Sequence, residues 1–395
     1  MKHGNVRISD LIHPVRNWNP STYVAADFVY VDISSVDAKQ KRIAEPKNIP
    51  CSSAPSRARQ LLESTDVLVS TVRPNLNCVA YVPGELEGAI ASTGFCVLRP
   101  NKQALDSRYL FHWVQSEAFI GDMVSKATGA SYPAISDSII HASEIPLPPL
   151  EEQRRIAAIL DKANRLRQLS QANLQSLDDL ERKVFSDMFG DPVDNERSWN
   201  GGCIGDFVAK YETGKSLGPG EGDVSDSLRI IRVSAVSSGN YKPEESKPAP
   251  KGYVPPPNHF VQEGDLLFCR ANTDILIGEV AYVGHGVRDL LLSDKIWRFC
   301  WSNKSESHAL YVQQLFRHPS VRREIRRRAT GTSGSMLNIS QSSVLAIPII
   351  LPPTDLQSKF HAIAAECRRL VSQNTKQAAS LRLLSCSLNR SFLGN

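Results

Sequence analysis

The chain has 395 residues and no apolar run approaching 18, so no stretch of it reads as a membrane span. Its opening, MKHGNVRISDLIHPVRNW, contains no apolar core of the secretory kind, and the expected location is the cytoplasm. The eight cysteines (51, 78, 96, 203, 269, 300, 367 and 386) form no C-x-x-C pair and stand mostly among apolar neighbours. They read as reduced core residues, not as disulfides or zinc ligands. The nine histidines form no cluster with metal-ligand spacing. Neither sign of charge dominates. The net charge of +5 is compatible with a nucleic-acid partner without arguing for one. The composition is otherwise that of an ordinary globular protein, and the length suits about two or three domains.

Catalytic signatures are missing as well. ETGKS (212–216) resembles the end of a phosphate-binding loop, but Ala209 stands where the first glycine is required, so a turn is the simpler reading. GPGEGD (218–223) is glycine-rich but carries a proline and lies between no clear strand and helix. DLERK (179–183) imitates the acid-and-lysine tail of a nuclease site. It falls inside a helical pattern that turns Leu180 toward the helix seam and the charges toward solvent. No Asn/Asp-Pro-Pro-aromatic motif of an adenine methyltransferase occurs.

What is present is a duplication. IPLPPLEEQRRIAAIL (145–160) returns as IILPPTDLQSKFHAIA (349–364), 204 residues later. Ser136 falls on Ser340, Pro148 and Pro149 on Pro352 and Pro353, Gln153 on Gln357, and Ile159 on Ile363. Upstream the echo continues with small gaps. KATGASYPAIS (126–136) answers RATGTSGSMLNIS (328–340). Tyr109, Phe119 and Met123 answer Tyr311, Val321 and Ile325. TDVLVST (65–71) answers GDLLFCR (264–270), and VRISDLI (6–12) answers GCIGDFV (202–208). A drifting offset is what loop insertions leave in two copies of one fold, and a period near 200 is too long for a solenoid.

Each copy ends in a long helix. Leu-Pro-Pro forces an extended lead-in, Pro149 suits the first helical turn, and Glu151 and Glu152 favour the positive helix start. No glycine follows until Gly190 and no proline until Pro192, which predicts a helix from about 150 to 188, and by repetition a second from about 354 to 392. Alternating steps of four and three give one seam as Ile159, Ala163, Leu166, Ser170, Asn173, Leu177, Leu180 and Val184. The other is Ile363, Cys367, Leu370, Asn374, Gln377, Leu381, Leu384 and Leu388. Paired antiparallel, the polar midpoints would lie opposite each other, with Ser170 and Asn173 bonding Asn374 and Gln377 and fixing the register. The alternative is that each helix packs on its own domain. The globular halves read as mixed, with more strand than helix. DVLVSTV, CVAYVP, FCVLRP, DLLFCRA, EVAYVG and LRIIRVSAV are short β-rich runs, and one helix per half is expected at 107–127 and 307–329, the second interrupted by Pro319.

Candidate ligand-binding residues cluster just before each long helix. The first half has Lys126, Thr128, Gly129, Ser131 and Tyr132. The second has Arg326, Arg327, Arg328, Thr330, Gly331, Ser333 and Ser335. Hydroxyls, backbone N–H groups and guanidinium forks suit phosphate oxygens and groove edges. RREIRRR (322–328) packs its arginines around Ile325, so the charges are expected to face outward. A solvated helix face explains such a run equally well. Its position beside a loop repeated in both halves favours DNA. Arg73, Arg270, Lys295 and Arg298 lie on or next to strand-like runs and are further DNA candidates, although for each one a salt bridge or loop contact is as good a reading.

These motifs, IPLPPLEEQRRIAAILDKANRLR, LERKVFSDMFGDP and the weaker ILPPTDLQSKFHAIA, resemble the specificity subunit of Type I restriction-modification enzymes, and the resemblance covers essentially the whole chain. It implies an α+β protein of two tandem mixed α/β target recognition domains, 1–145 and 191–347. Each is followed by a long α-helix, 146–190 and 348–395, the two helices pairing as an antiparallel coiled coil that serves as spacer and docking platform. It implies a noncatalytic chain that reads a split site in double-stranded DNA beside two methyltransferase subunits and a restriction/translocase subunit. S-adenosylmethionine, ATP and Mg would belong to those partners and no cofactor to this chain. The second copy, TDLQSKFH, is degenerate, which puts equal docking at both arms in question. Two other classes remain at this point. A nuclease or methyltransferase in its own right lacks its motifs, and a coiled-coil scaffold would leave the repeated loops without a purpose.

Overall fold

The computed structural model describes residues 4–19, 27–129, 131–217, 224–284, 288–302, 307–331 and 336–393. The chain divides into two compact units, residues 1–171 with 377–395, and residues 172–376. Each unit therefore holds one half of each long helix. Among the described residues no helix is long and apolar enough to cross a membrane.

The first unit is built on a six-stranded sheet in the order Ile12–His13, Phe95–Pro100, Val67–Ser70, Val79–Tyr81, Arg42–Ile43 and Val36–Asp37. Alternation along the central strands explains its two-sided burial. Val67, Val69, Val79, Cys96 and Leu98 face a helical layer with Tyr109, Leu110, Phe119 and Met123. Leu68, Ala80, Val97 and Phe95 form a separate core with Val31 and Leu62. A strand buried on both faces reads as a continuous apolar run, which is why VLVS has no polar face. A second sheet has the order Lys47–Pro50, Asp27–Val31, Ile90–Ser92, Ala58–Leu61, with one parallel pair, Asp27–Val31 against Ile90–Ser92.

The second unit repeats this plan with Val208–Thr213, Ile296–Trp301, Leu266–Cys269 and Val280–Tyr282 in one sheet. Ser246–Pro250, Val224–Ile231 and Leu290–Leu291 form the other, again with a single parallel pair. Leu266, Phe268, Val280 and Phe299 face the helices, and Leu267, Cys269, Ala281 and Ile296 the opposite core. Each unit is closed by its own ends. Asn5–Arg7 pairs with Glu144–Pro146, and Asn200–Cys203 with Pro348–Leu351. Two equivalent buried tyrosines tie the closing strands down: Tyr109 donates to Pro146 O at 2.9 Å and Tyr311 to Ile350 O at 3.5 Å.

The single helices expected at 107–127 and 307–329 are each two. Ser107–Trp113 is followed by Glu117–Ser125, whose N-cap Ser116 accepts from Phe119 N. Ser307–Arg317 is followed by Pro319–Arg328, capped by His318. A capping side chain at the same place breaks both, and Pro319 opens the second helix at a position where its missing N–H costs nothing.

The long helices span Leu150–Phe189 and Thr354–Leu393, 40 residues each. The first ends at Gly190, in the left-handed region at φ 75°, whose N–H donates to Ser186 O. Their starts share one device. Gln153 is fully buried and donates to Pro148 O at 2.9 Å and Ala104 O at 3.0 Å, while its carbonyl oxygen accepts from Asp106 N. Gln357, also buried, donates to Pro352 O at 2.8 Å. The repeated Leu-Pro-Pro and Gln are thus one clip that folds a helix back onto its closing strand.

Within each unit the two helix halves pack antiparallel. In the first unit, Leu388, Phe392 and Leu393 from the end of one join Ile156, Ala157 and Leu160 from the start of the other. In the second, Phe185 and Phe189 meet Phe360 at ring-centroid distances of 5.5 and 5.7 Å. The seam differs from expectation in half of its positions. Ala163, Ser170 and Cys367 are buried, and Leu177, Asn374 and Leu381 half-buried. The other row is displaced by one residue. Ile159 and Leu370 are half-buried, and Leu166, Asn173, Leu180, Ile363, Gln377 and Leu384 are exposed, whereas Leu160, Glu181, Ala364 and Ser385 are buried. The true seam steps by three and then four, Leu160, Ala163, then Ser170, Leu174, Leu177, Glu181. It is hidden in the sequence because apolar residues flank it on both sides and because it includes Glu181 and Ser170, with Ser385 in the facing row of the other helix. The expected polar layer is also different. Asn374 gives its amide to Leu370 O of its own helix, the local i−4 alternative, and the Ser170 hydroxyl is buried without a hydrogen-bond partner.

Candidate nucleic-acid interface

The repeated small-residue loop is a hydrogen-bonded tip in both units. In the first, Thr128 N donates to Ala134 O at 3.0 Å and Ala134 N returns to Thr128 O at 2.9 Å. The loop so pinched is stitched to the end of strand Val67–Ser70, with Ile135 N on Thr71 O at 2.9 Å and Arg73 N on Pro133 O at 2.7 Å. In the second, Thr330 and Asn338 exchange both bonds at 2.8 Å, and Ile339 N donates to Arg270 O at 3.1 Å. Ala271–Asn272 pairs with Leu337–Asn338. Gly129 is required: it sits at φ 101°, and a Cβ there would lie 2.9 Å from Tyr132 O. Gly331 is required by close approach, since a Cβ would lie 2.7 Å from Met336 O.

Several expected contacts surround these tips. In the first unit Thr128, Ser131 and Tyr132 are exposed. Arg73 is exposed too, in the left-handed region at φ 50°, with its guanidinium 4.7 Å from the Tyr132 ring centroid. Lys126 is exposed and ion-paired to Asp122 at 2.7 Å, a contact that solvent screens. In the second unit Thr330, Arg323, Arg326 and Arg327 are exposed, with Arg326 Nε on Asp274 O at 3.1 Å. Arg327 and the half-buried Arg328 share Glu324, at 2.7 and 3.0 Å. Ser333 and Ser335 lie outside the described residues.

Three expectations are corrected. Arg298 is buried and cannot reach DNA: its guanidinium donates to Glu212 at 2.7 Å, to Asp265 at 3.3 Å and to Phe260 O at 2.9 Å. It compensates two carboxylates inside the second unit. Arg322, expected to face outward, is buried beside Glu279 at 3.2 Å and donates to Ile275 O. Arg270 is half-buried and committed, with Nε on Asp294 O at 2.8 Å and its guanidinium 6.0 Å from the Trp297 ring, so it braces the second tip from beneath. Lys295, half-buried, is joined to Arg270 through its carbonyl, which accepts from Arg270 N at 3.1 Å. DLERK also differs. Glu181 is buried and accepts from Gln314 at 2.7 Å and Arg368 at 3.1 Å, so it holds helices together. Among the described residues no group of three or more His, Cys, Asp or Glu side chains could hold a metal ion.

A duplicated, two-unit fold with paired long helices and a cation-rimmed loop in each unit defines a class of protein that presents two similar surfaces. The comparisons name the class. Residues 60–178 match the model of the Type I restriction modification DNA specificity domain, and the chain is similar to specificity subunits of Type I restriction enzymes. It is 29% identical over 170 residues to the EcoEI specificity subunit of Escherichia coli, covering 42% of this chain and 28% of that protein. It is 24% identical over 283 residues to the EcoKI specificity subunit of Escherichia coli K12, covering 67% of this chain and 59% of that protein. The match thus spans less than two thirds of either relative. The fold is that of the solved Type I restriction-modification S subunit from M. genitalium, with a TM-score of 0.60 at 12% identity over 99% of this chain and 96% of that one.

Proposed function

We propose that the chain is the DNA-recognition subunit of a Type I restriction-modification complex. The observation that carries this is the recurrence, in two units, of one stitched loop with exposed hydroxyls and cations, in a chain whose residues 60–178 match a DNA specificity domain. Residues 1–145 and 191–347 then act as two readers of a bipartite double-stranded site, and 146–190 and 348–395 as the arms that hold them. The chain itself is noncatalytic. Methyl transfer and cleavage belong to two methyltransferase subunits and a restriction/translocase subunit, which bring S-adenosylmethionine, ATP and Mg, in the cytoplasm. Leu166, Leu180, Ile363 and Leu384, left exposed on the long helices, are apolar surface suited to such docking.

Sequencing methylated adenines in cells carrying the complex tests this. Replacing residues 191–347 by the recognition domain of another specificity subunit changes one half of the methylated site and leaves the other half as it was. A swap that alters both halves, or neither, contradicts the two-reader assignment.

A further inference from the structure

Away from the long helices, six large apolar side chains are exposed among the described residues: Leu76, Val124, Tyr132, Val254, Ile275 and Met336. Single exposed apolar residues need no explanation. Four of these six, however, are two equivalent pairs. Leu76 and Ile275 are 199 residues apart, the offset that also relates Thr71 to Arg270. Tyr132 and Met336 are 204 apart, the offset of Ala134 and Asn338. They are strongly exposed, at 56% and 69% for the first pair and 70% and 46% for the second. The side-chain identities differ between units, but the apolar character and the position are kept.

Backbone bonds bring each pair to one place. In the first unit Leu76 ends a short turn of helix, Pro74–Leu76, that begins at Arg73, and Arg73 N is bonded to Pro133 O beside Tyr132. In the second, Asn272 pairs with Leu337 beside Met336, and Ile275 follows three residues after Asn272. The apolar tips therefore stand on stitched backbone and lose little freedom when they make contact. Cations border both pairs. The Arg73 guanidinium lies over Tyr132, and the exposed Arg326 reaches Asp274 O next to Ile275, whose own carbonyl is held from beneath by the buried Arg322. Two apolar tips among guanidinium groups and hydroxyls match a DNA groove, whose walls are phosphates and whose floor offers thymine methyl groups and base edges.

We propose that Leu76 with Tyr132, and Ile275 with Met336, are the groove-reading tips of the two units. Each pair touches base edges and sets the sequence preference of one half-site, while the exposed cations beside them, Arg73 and Arg326, hold phosphates and carry affinity without preference. This rests on the DNA-recognition reading above and extends it to particular side chains.

The test uses the full chain co-expressed with its methyltransferase subunits. One variant carries Leu76→Ser and Tyr132→Ser, the other Ile275→Ser and Met336→Ser. All four positions are exposed, so both variants are expected to fold. Duplexes are selected from a randomised pool, and the preferred and a non-specific duplex are titrated at fixed salt. Each variant is expected to lose roughly 10- to 100-fold in preference for the wild-type site and to relax bases in one half-site only, a different half for each. Non-specific affinity stays within about twofold of wild type and the salt dependence is unchanged. Unchanged preferences, or equal losses on both duplexes, overturn the proposal. Retained DNA preference with failure to co-purify with the methyltransferase assigns the tips to a protein interface and also overturns it. A wild-type complex with no sequence preference removes the DNA-recognition reading itself, an outcome recognisable without either variant.

Discussion

If the paired helices fix the distance between two readers, their length fixes the gap between half-sites. Each helix has 40 residues, about 60 Å at 1.5 Å per residue. Seven residues added to both, after Asn173 and after Gln377, enter at equivalent points 204 residues apart. Seven residues fall only about 20° short of two full turns, so the row through Ala163, Ser170 and Leu177 continues in phase. An insertion of four would rotate that row by roughly 40° and turn it off the partner helix. The heptad lengthens the arm by about 10 Å, which at 3.4 Å per base pair is roughly three base pairs. Three base pairs also turn the far half-site by roughly 100° around the duplex, at about 10 base pairs per turn. The expected result is therefore a longer preferred gap with unchanged half-sites, or loss of specific binding with non-specific binding retained. Selection of bound duplexes from a pool of variable gap length reads this directly. Recovery of the original gap at wild-type affinity refutes the ruler.

Two further expectations concern how the globular parts grip the helices. Glu181→Ala removes the carboxylate that pairs Arg368 and accepts from the Gln314 amide, leaving Arg368 only Gln313 and the Tyr282 ring, and should destabilise the second unit by about 3 kcal/mol, with Glu181→Ala plus Arg368→Met recovering part of the loss in denaturant melts; equal melts of wild type and the single variant would count against it. Asp161 is pushed up by burial but held down to about 2 by hydrogen bonds from His112 and Arg108, below its ordinary 3.8. Its contribution is thus fully present above about pH 4 and disappears as pH falls through about 2, so the stability gap between wild type and Asp161→Asn should close over that window, and a gap constant from pH 6 to pH 2 contradicts the linkage.

The duplication, the two helix spans and the small-residue loops were legible because each rests on local chemistry: proline and glycine punctuation, a capping pattern, a repeated string. What was not legible depends on tertiary partners. Arg298 and Arg73 look alike in sequence, each a basic residue at a β-rich run. Only the fold shows that Glu212 and Asp265 converge on the first while the second stands in the open over Tyr132. The helix seam misled for a related reason. A glutamate in DLERK reads as solvated, and its burial depends on Arg368, 187 residues away. Leu76, Ile275 and Met336 carry no local signal of their own, and their equivalence shows only when the internal alignment is extended past the strand ends.

The two units also differ in the chemistry by which they hold the helices, and this bears on how recognition domains can be exchanged. In the first unit, Asp161 of the central helix accepts from Arg108 and from His112 at 2.8 Å, and the Arg108 guanidinium lies 4.6 Å from the Tyr81 ring. In the second, the equivalent tyrosine, Tyr282, is covered at 5.0 Å by Arg368, which comes from the C-terminal helix. The carboxylate there is Glu181, and the residue equivalent to His112 is Gln314. The positions equivalent to Asp161 and Glu181 are Ala365 and Ser385, so neither carboxylate is kept in the other copy. One geometric solution, a guanidinium stacked on a tyrosine beside a carboxylate of the central helix, is assembled from different elements at the two ends. A domain grafted at residues 191–347 leaves Glu181 and Arg368 in place and must supply Gln314 or another neutral donor. A graft that brings an arginine and a histidine, as the first domain does, would face Arg368 with further positive charge and only one carboxylate between them. The halves share a fold, but their anchoring side chains do not allow one to stand in for the other.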